Sequence, residues 1–390
     1  MKKKIIFITE ALWVGGIEIA LANLLNSFDY DKYDVTCLVL RASLEVSDRI
    51  NKNCRLIVSD RAKTVSFSEK YKYNRLFCLM EQPQNASKFR LFIWKCLKFF
   101  LRAPEARLYA AYVKKQLKNE HFDTAVIYSD RASESAVRAV NADKYLMFYH
   151  HGAMKKEYHD KLGYKKSEKV IAVSKKLSEK LKEYRPQFAS KIIYINNITD
   201  ALGVKGKSKQ KPELEFQNDV FNIVSCGRLT YAKGFDVAIK AAKKLKDDGV
   251  SGFRWWIIGG GPEEAALKKL TFENGVEDSV VFTGNKSNPY SYIAQADLYV
   301  QPSRFEGHCV TVLEARILSK PILATFNAAD EQIENGVTGV LCECSIDSVA
   351  ENIKLLMNDK KRLLQFKENL QSHDFDEDNK NIMNELYALL

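Results

Sequence analysis

Short apolar segments followed by a turn and a helix occur in both halves of this chain. The first half begins with Ile5–Thr9, the glycine pair at 15–16 and a helical pattern over Ile17–Ser27. The second half repeats the order with Phe221–Cys226 and a helical pattern over Phe235–Asp247. A buried strand, a turn and a helix form the unit of a Rossmann-like parallel sheet. The sequence therefore predicts an α/β fold.

A polar segment over Asp200–Asp219 separates the two halves and is rich in Lys, Gly, Ser, Gln and Pro. A chain of 390 residues is long for one core, so two domains are expected. We predict an N-terminal domain over residues 1–200 and a C-terminal domain over 201–373. Residues 374–390 form one further helical pattern.

Further apolar runs have the length of strands, whereas Ser59–Asn85 has no readable periodicity. One helical pattern covers Ile346–Leu370. The additional predicted strands are Tyr33–Leu40, Leu56–Val58, Phe122–Tyr128, Tyr145–Tyr149, Lys169–Ser174, Lys191–Asn197, Arg254–Ile258, Val280–Thr283, Asp297–Gln301, Ile322–Thr325 and Gly339–Cys342.

Two carboxylates lie in a loop–helix segment over Gln301–Thr325. Glu306 precedes a helix predicted from about Val310, and Glu314 lies inside that helix. A glycine-containing loop at a helix start presents N–H groups to an anion. Nearby carboxylates suit ribose or sugar hydroxyls. This segment predicts a site for a phosphorylated, hydroxyl-rich ligand.

Two cations flank another predicted turn, GRLTYAKG, which precedes the helix from Phe235. Arg228 and Lys233 would stand beside the N–H groups of that helix start. Forked guanidinium donors and an ammonium at such a place suit a diphosphate.

The strand Tyr145–Tyr149 is followed by His150 and His151. Ligands of open α/β sheets bind at the carboxyl ends of strands, where a histidine can hydrogen-bond a substrate hydroxyl. A purely structural histidine is the alternative.

The segment PSRFEGHCVTVLEA resembles the Glu-x7-Glu motif of family 4 glycosyltransferases, and GRLTYAKG and GGGPE are similar to two further turns of that family. The resemblance covers nearly the whole chain and is strongest over residues 221–325. It implies the GT-B fold: two Rossmann-like domains with parallel sheets facing a cleft, and a last helix returning to the first domain. It also implies sugar transfer from a nucleotide sugar with retention of anomeric configuration.

The resemblance assigns roles to individual residues. Glu314 would bind the ribose, Glu306 the transferred sugar, and Arg228 and Lys233 the departing diphosphate. The remaining predicted contacts are Gly16, Gly307, His308, Cys309 and Val310 at the diphosphate, Lys286 at the base, and His151 at the sugar, with His150 as its alternate. The donor expected is a UDP-linked hexose or N-acetylhexosamine.

The formal net charge of +11 favours an anionic partner. No nucleic-acid-binding motif is present, so a phosphorylated ligand or an anionic membrane is the better interpretation. The histidines and cysteines lack metal-ligand spacing, and no DxD motif of the kind that binds a divalent ion in the other large glycosyltransferase fold stands between strands. Neither metal nor cofactor is therefore expected. No apolar run approaches the roughly 20 residues of a membrane span. We therefore expect a cytoplasmic protein whose cysteines are reduced.

Residues 86–118 carry nine Lys and Arg against one acid, with aromatic residues interleaved. Such a basic amphipathic segment can lie on an anionic membrane, and a buried helix with a basic rim is the alternative. The membrane interpretation predicts a peripheral enzyme that extends a polyprenyl-diphosphate-linked or glycolipid acceptor for surface polysaccharide. A non-catalytic partner subunit and a nucleotide-sugar epimerase remain as alternative functions.

Overall fold

Two domains, each built on a parallel sheet, make up the computed structural model. It describes residues 2–13, 15–40, 43–59, 110–129, 137–152, 154, 161–214, 216–217 and 219–390. The apolar runs of the sequence form the strands, and Ile5–Ile8 at the centre of the first sheet is wholly buried. Parallel strands covered on both faces require such continuous rather than alternating apolar runs.

The first sheet has its seven described strands in the order β3-β2-β1-β4-β5-β6-β7. Its strands are β1 (Lys3–Thr9), β2 (Tyr33–Val39), β3 (Arg55–Val58), β4 (His121–Ile127), β5 (Asn141–Tyr149), β6 (Lys169–Ala172) and β7 (Ile192–Tyr194). The helices with it are α1 (Gly16–Asn26), α2 (Lys161–Lys166) and α3 (Lys175–Tyr184), with 3-10 turns at Ser47–Arg49 and Pro186–Lys191.

The second sheet has its six strands in the order β10-β9-β8-β11-β12-β13. Its strands are β8 (Phe221–Cys226), β9 (Phe253–Ile258), β10 (Val280–Gly284), β11 (Leu298–Gln301), β12 (Ile322–Thr325) and β13 (Val340–Cys342). Its helices are α4 (Ala201–Ser208), α5 (Phe235–Asp247), α6 (Glu264–Glu273), α7 (Tyr290–Ile293), α8 (Val310–Ile317), α9 (Phe326–Ala329), α10 (Ile346–Asn358) and α11 (Lys360–Gln371), with a 3-10 turn at Tyr231–Lys233.

The last helix, α12 (Phe375–Tyr387), returns to the first domain as predicted. Met383 and Leu386 are buried in the core of that domain. The ring of Tyr387 stacks on Tyr33 with centroids 5.0 Å apart. The C-terminal helix therefore ties the two domains together.

Several elements differ from the sequence-based expectation. The single helix predicted over Ile346–Leu370 is two helices, because Asp359 breaks the pattern and caps α11 by accepting a hydrogen bond from the Arg362 amide. The polar segment after Asp200 contains α4, whose Ala201 and Val204 pack against the second domain. Helices α2 and α3 were not predicted.

Residues 86–109 of the basic segment lie outside the described residues. Residues 110–116 are helical. Here Ala110, Val113 and Leu117 are buried, whereas Lys114 and Lys115 are exposed. The described end of the segment thus has the form of a core helix with a basic rim. Among the described residues, no helix is long and apolar enough to cross a membrane.

Candidate functional site

Two of the predicted residues form an ion pair at the centre of the site. Lys233 Nζ lies 2.6 Å from Glu306 Oε1, and both side chains are largely buried. Burial alone would lower the pKa of Lys233, but the charge and hydrogen bond of Glu306 outweigh it and raise that pKa above its usual value. Lys233 is therefore a permanent cation at neutral pH.

Gly234, directly after Lys233, allows this approach. Its φ of 67° lies in the left-handed region, and a Cβ there would meet the Pro302 carbonyl oxygen at 2.0 Å. A larger residue would be strained in its backbone and would also push the two loops apart. Gly234 therefore brings the Lys233 turn against the loop that carries Glu306.

A chain of buried hydrogen bonds orients the Glu306 carboxylate. Ser303 Oγ donates to Glu306 Oε1 at 2.7 Å, and Gln301 Nε2 donates to Ser303 Oγ at 2.8 Å. The hydroxyls of Tyr299 and Thr311 donate to Gln301 Oε1 at 2.8 and 3.1 Å. Gln301, the last residue of β11, and Ser303, in the loop after it, were not among the predicted site residues.

Arg228 follows β8 on the same side of the second domain as Lys233. Its side chain is exposed, and no side chain of the described part of the chain forms a hydrogen bond or ion pair with it. The guanidinium therefore keeps all its donors for a ligand.

The predicted anion loop presents its backbone rather than its side chains. In the described chain, the amides of Gly307, His308, Cys309 and Val310 donate no hydrogen bond. Burial, with the charge of Arg316 added, lowers the pKa of His308 to about 4, so its ring is neutral. Burial raises the pKa of the Cys309 thiol to about 11. The loop therefore offers four N–H donors at the start of α8.

The second carboxylate of the motif is buried within α8. Glu314 is 4% exposed, and its Oε1 accepts a hydrogen bond of 3.0 Å from the Tyr290 hydroxyl. Burial raises the pKa of Glu314 to about 7, against the opposing effects of that hydrogen bond and of nearby Arg49. Arg49 belongs to the first domain and donates to the Ser287 carbonyl oxygen at 3.4 Å, so it spans the cleft.

The first domain meets this site through glycines. A Cβ on Gly16 would lie 3.6 Å from Val310, a Cβ on Gly152 would meet the Glu306 backbone at 2.3 Å, and a Cβ on Gly307 would meet the His150 carbonyl oxygen at 2.1 Å. The structure therefore brings Gly16 and the end of β5 to the anion loop.

The two candidate histidines have different surroundings. His150 is buried, with its ring centroid 4.6 Å from that of Tyr128. His151 is half-buried and lies edge-on to Tyr149 at 6.1 Å. The assignment of His151 to the sugar stays a prediction.

Lys286, the predicted base contact, pairs with Glu213 and lies 5.6 Å from the ring centroid of Tyr292. In the described part of the chain, no group of three or more His, Cys, Asp or Glu side chains has an arrangement suited to a metal ion.

A further contact between the domains had no counterpart in the sequence analysis. The Glu331 carboxylate of the second domain accepts hydrogen bonds from the amides of Lys175, at 2.9 Å, and Lys176, at the start of α3. Lys176 Nζ also pairs with Asp330. A cavity beside this contact has Glu306 and Gly307 in its wall.

Comparison with known proteins agrees with this architecture. A crystal structure of HepE from Anabaena in complex with UDP and glucose aligns over 99% of both chains, with a TM-score of 0.71 and 17% identity. The fold is therefore GT-B, as predicted.

The match to a family model lies in the second domain. Residues 206–373 match the family model described as glycosyl transferases group 1. An uncharacterized glycosyltransferase of Haemophilus influenzae is 34% identical over 163 residues, which are 39% of this chain and 44% of that protein. Lipopolysaccharide core biosynthesis glycosyltransferase LpsD of Rhizobium meliloti is 28% identical over 43% of this chain and 47% of its own length.

Residues 206–373, most of the C-terminal domain, thus match the glycosyl transferases group 1 model, which confirms the predicted resemblance. The chain spans just under half the length of these two curated relatives in its matches.

Proposed function

We propose that this protein is a retaining glycosyltransferase that moves a sugar from a nucleotide diphosphate sugar to an acceptor. The observation that carries the proposal is the Lys233–Glu306 pair, held at 2.6 Å beside four amides of the anion loop that donate to no group of the described residues. A fixed cation and fixed N–H donors stabilise the negative charge that develops on a leaving diphosphate. Arg228, which is exposed and has no side-chain partner among the residues that the structure describes, completes the anion site.

Within this proposal the two carboxylates bind different parts of the donor. Glu314 binds the ribose from inside α8, and Glu306, next to Lys233, binds a hydroxyl of the sugar. Lys286 contacts the base. The donor we propose is a UDP-linked hexose or N-acetylhexosamine, because the structurally similar HepE binds UDP and glucose.

The proposed reaction keeps the anomeric configuration and uses no metal. A retaining glycosidase needs a carboxylate nucleophile about 5 Å from a carboxylic acid. Glu306 is already engaged by Lys233 and Ser303, so it is poorly suited to be that nucleophile. We assign same-face attack instead, with a donor phosphate oxygen accepting the acceptor's proton. Lys233 and Arg228 take the place of a divalent cation.

The acceptor we propose is a lipid-linked glycan, polyprenyl-diphosphate-linked or a glycolipid, at the inner face of the cell membrane. Support comes from the basic composition of residues 86–118 and from LpsD, a relative named for lipopolysaccharide core biosynthesis. The pathway would be the synthesis of a surface polysaccharide such as capsule.

The test uses the purified full chain. A thermal-shift panel of UDP-, GDP- and ADP-sugars identifies the donor, and we expect UDP-sugars to raise the melting temperature most. The stabilising sugar is then incubated with membrane lipid extract in the presence of EDTA, and the anomeric configuration of the product is read by NMR. Transfer with retention supports the proposal. Epimerised nucleotide sugar in the absence of acceptor, or no binding of any nucleotide sugar, overturns it.

A further inference from the structure

Arg304 links the two loops that carry the central ion pair. Its side chain lies two residues before Glu306 and reaches the turn that carries Lys233. Arg304 Nη1 and Nη2 donate to the two carboxylate oxygens of Asp236, both at 2.7 Å. The same Nη1 donates to the Tyr231 carbonyl oxygen at 2.9 Å.

The backbone and ring of this turn are held as well. The Arg304 amide donates to the Ala232 carbonyl oxygen at 2.8 Å, and the guanidinium lies 4.1 Å from the ring centroid of Tyr231. The bonds therefore reach the residues on both sides of Lys233: Tyr231 and Ala232 before it, and Asp236 after it.

The geometry of the bond matters because a guanidinium fork fixes direction as well as distance. Two parallel N–H···O bonds restrict rotation that a single ammonium contact leaves open. The Arg304 side chain is 20% exposed and that of Asp236 is 31% exposed, so neither group faces solvent freely. The three hydrogen bonds of the Arg304 guanidinium go to Asp236 and to the Tyr231 backbone.

We propose that Arg304 is a positioning residue, which with Asp236 holds the Lys233 turn against the Glu306 loop and so sets the Lys233–Glu306 contact. This inference rests on the proposed sugar transfer for its effect on rate. The clasp, which consists of Arg304, Asp236 and Tyr231, is a geometric arrangement, so it can be tested separately from the rate of sugar transfer.

The variants separate geometry from charge. Arg304→Ala removes both, Arg304→Lys keeps the charge without the fork, and Asp236→Asn keeps Arg304 but weakens the pair. The matched control is Lys246→Ala, which removes a surface ion pair of the same domain, Lys246 with Asp278 at 2.9 Å. Thermal unfolding of each variant establishes that the domain is folded.

The first measurement is the turnover of the nucleotide sugar. Displacing a reacting group by about 1 Å can cost about 100-fold in rate. We expect kcat to fall about 10- to 100-fold in all three clasp variants, with a smaller change in KM, and to stay unchanged in Lys246→Ala. Wild-type kcat in Arg304→Lys or in Asp236→Asn would mean that only the charge of Arg304 matters, and would overturn the proposal.

The second measurement needs no activity. Lys233 is largely buried and paired, so it should react slowly with an amine-acylating reagent, as followed by mass spectrometry. We expect faster acylation of Lys233 in the clasp variants and not in Lys246→Ala. Unchanged protection in Arg304→Ala overturns the clasp. If Lys233 is acylated faster in the clasp variants but the wild type transfers no sugar, the clasp is supported and the proposed function is overturned.

Discussion

Lys233 and Arg228 are both proposed to bind the diphosphate, but their environments differ. Lys233 is largely buried and bonded to Glu306, whereas Arg228 is exposed and has no side-chain partner in the described chain. The difference matters for mutation, because removing Lys233 leaves the carboxylate of Glu306 partly buried without its counter-ion. Removing Arg228 leaves no group unsatisfied.

The first prediction compares these two cations. We expect Arg228→Ala and Lys233→Ala each to lower transfer about 100- to 1000-fold, the effect of removing one preorganised donor. Lys233→Ala should also lower the melting temperature, because it leaves the partly buried Glu306 carboxylate without its counter-ion. Arg228→Ala should leave the melting temperature unchanged. Steady-state kinetics and thermal unfolding check both, with the exposed Lys240→Ala as control. Full turnover in either variant would remove that residue from the diphosphate site.

The pKa of Glu314 predicts how the stability of the folded protein changes with pH, and in which direction. Its pKa is about 7 in the folded protein against 4.5 for an ordinary carboxyl. The folded state therefore holds the proton to higher pH than the unfolded chain does. Stability should fall as pH rises from about 4.5 to 7, by up to about 3 kcal/mol, and then level off. Denaturant unfolding at several pH values checks this, and Glu314→Gln should lack that part of the slope.

The same titration should appear in donor binding. A ribose diol donates to a carboxylate, so binding should strengthen up to about tenfold per pH unit below 7 and level off above it. UDP-glucose is the suitable ligand because its diphosphate diester does not titrate in this range. Calorimetry on the wild type and Glu314→Gln decides the point, and an identical pH profile in both would take the ribose away from Glu314.

Sequence patterns predicted the charged residues of the candidate site but not the polar residues that contact them. Arg228, Lys233, Glu306 and Glu314 each stand in a turn or helix start with a recognisable local pattern. Ser303 and Gln301 carry no such pattern. Their roles depend on hydrogen bonds that form only when β11 and the following loop are folded, which local spacing does not encode.

At the scale of elements, α3 is the clearest case of long-range capping. Its first turn is capped by its own Ser174, whose hydroxyl accepts from the Leu177 amide at 3.2 Å. Two further amides, those of Lys175 and Lys176, donate to Glu331 of the other domain. A carboxylate at a helix N-terminus is stabilised by the helix dipole. The start of α3 therefore helps to hold the cleft in the observed arrangement.

We predict that Glu331→Ala loosens this contact. Loss of a capping carboxylate typically costs about 0.5–2 kcal/mol. Hydrogen exchange at the amides of Lys175 and Lys176 should become faster, whereas Glu334→Ala, an exposed acid nearby, should leave exchange unchanged. Equal protection in Glu331→Ala and wild type would show that the contact does not restrain α3.

Strong local patterns predicted the first and last residues of several elements. Weak patterns failed for physical reasons. The bounds of β8, α5 and β12 match the prediction. The split between α10 and α11 was missed because their apolar positions continue in phase across Asp359. Helix α3 was missed because its apolar face is narrow, with Leu177 and Leu181 as its buried leucines.

At the scale of the molecule, the two-domain arrangement follows from a twice-repeated strand–turn–helix pattern with a polar break between the copies. The approach of the domains does not follow from that pattern. Gly152 and Gly307 each lie close to the backbone of the other domain, so the sequence around either glycine does not predict the contact. The return of α12 was predicted through the family resemblance, and the stacking of Tyr387 on Tyr33 was not.

The last prediction concerns the positive charge of the whole molecule and its basic segment. Lys and Arg near an anionic bilayer contribute about 1 kcal/mol each, and apolar side chains between them add insertion. Residues 110–118 place their lysines on the rim of a core helix, so any membrane contact depends on residues 86–109. We expect the full chain to float with anionic vesicles at low salt and to be released as salt rises.

Matched variants make this test specific. Lys88/Arg90/Lys95/Lys98→Ser should lose most flotation, whereas Lys268/Lys269/Lys360/Lys361→Ser removes the same charge from exposed positions of the second domain and should keep it. Equal loss in both variants would mean that net charge alone attracts the protein. A wild type that ignores anionic vesicles at low salt would make the whole segment part of the first domain's core. The proposed lipid-linked acceptor would then lose its support, while the donor site built on Lys233 and Glu306 would stand unchanged.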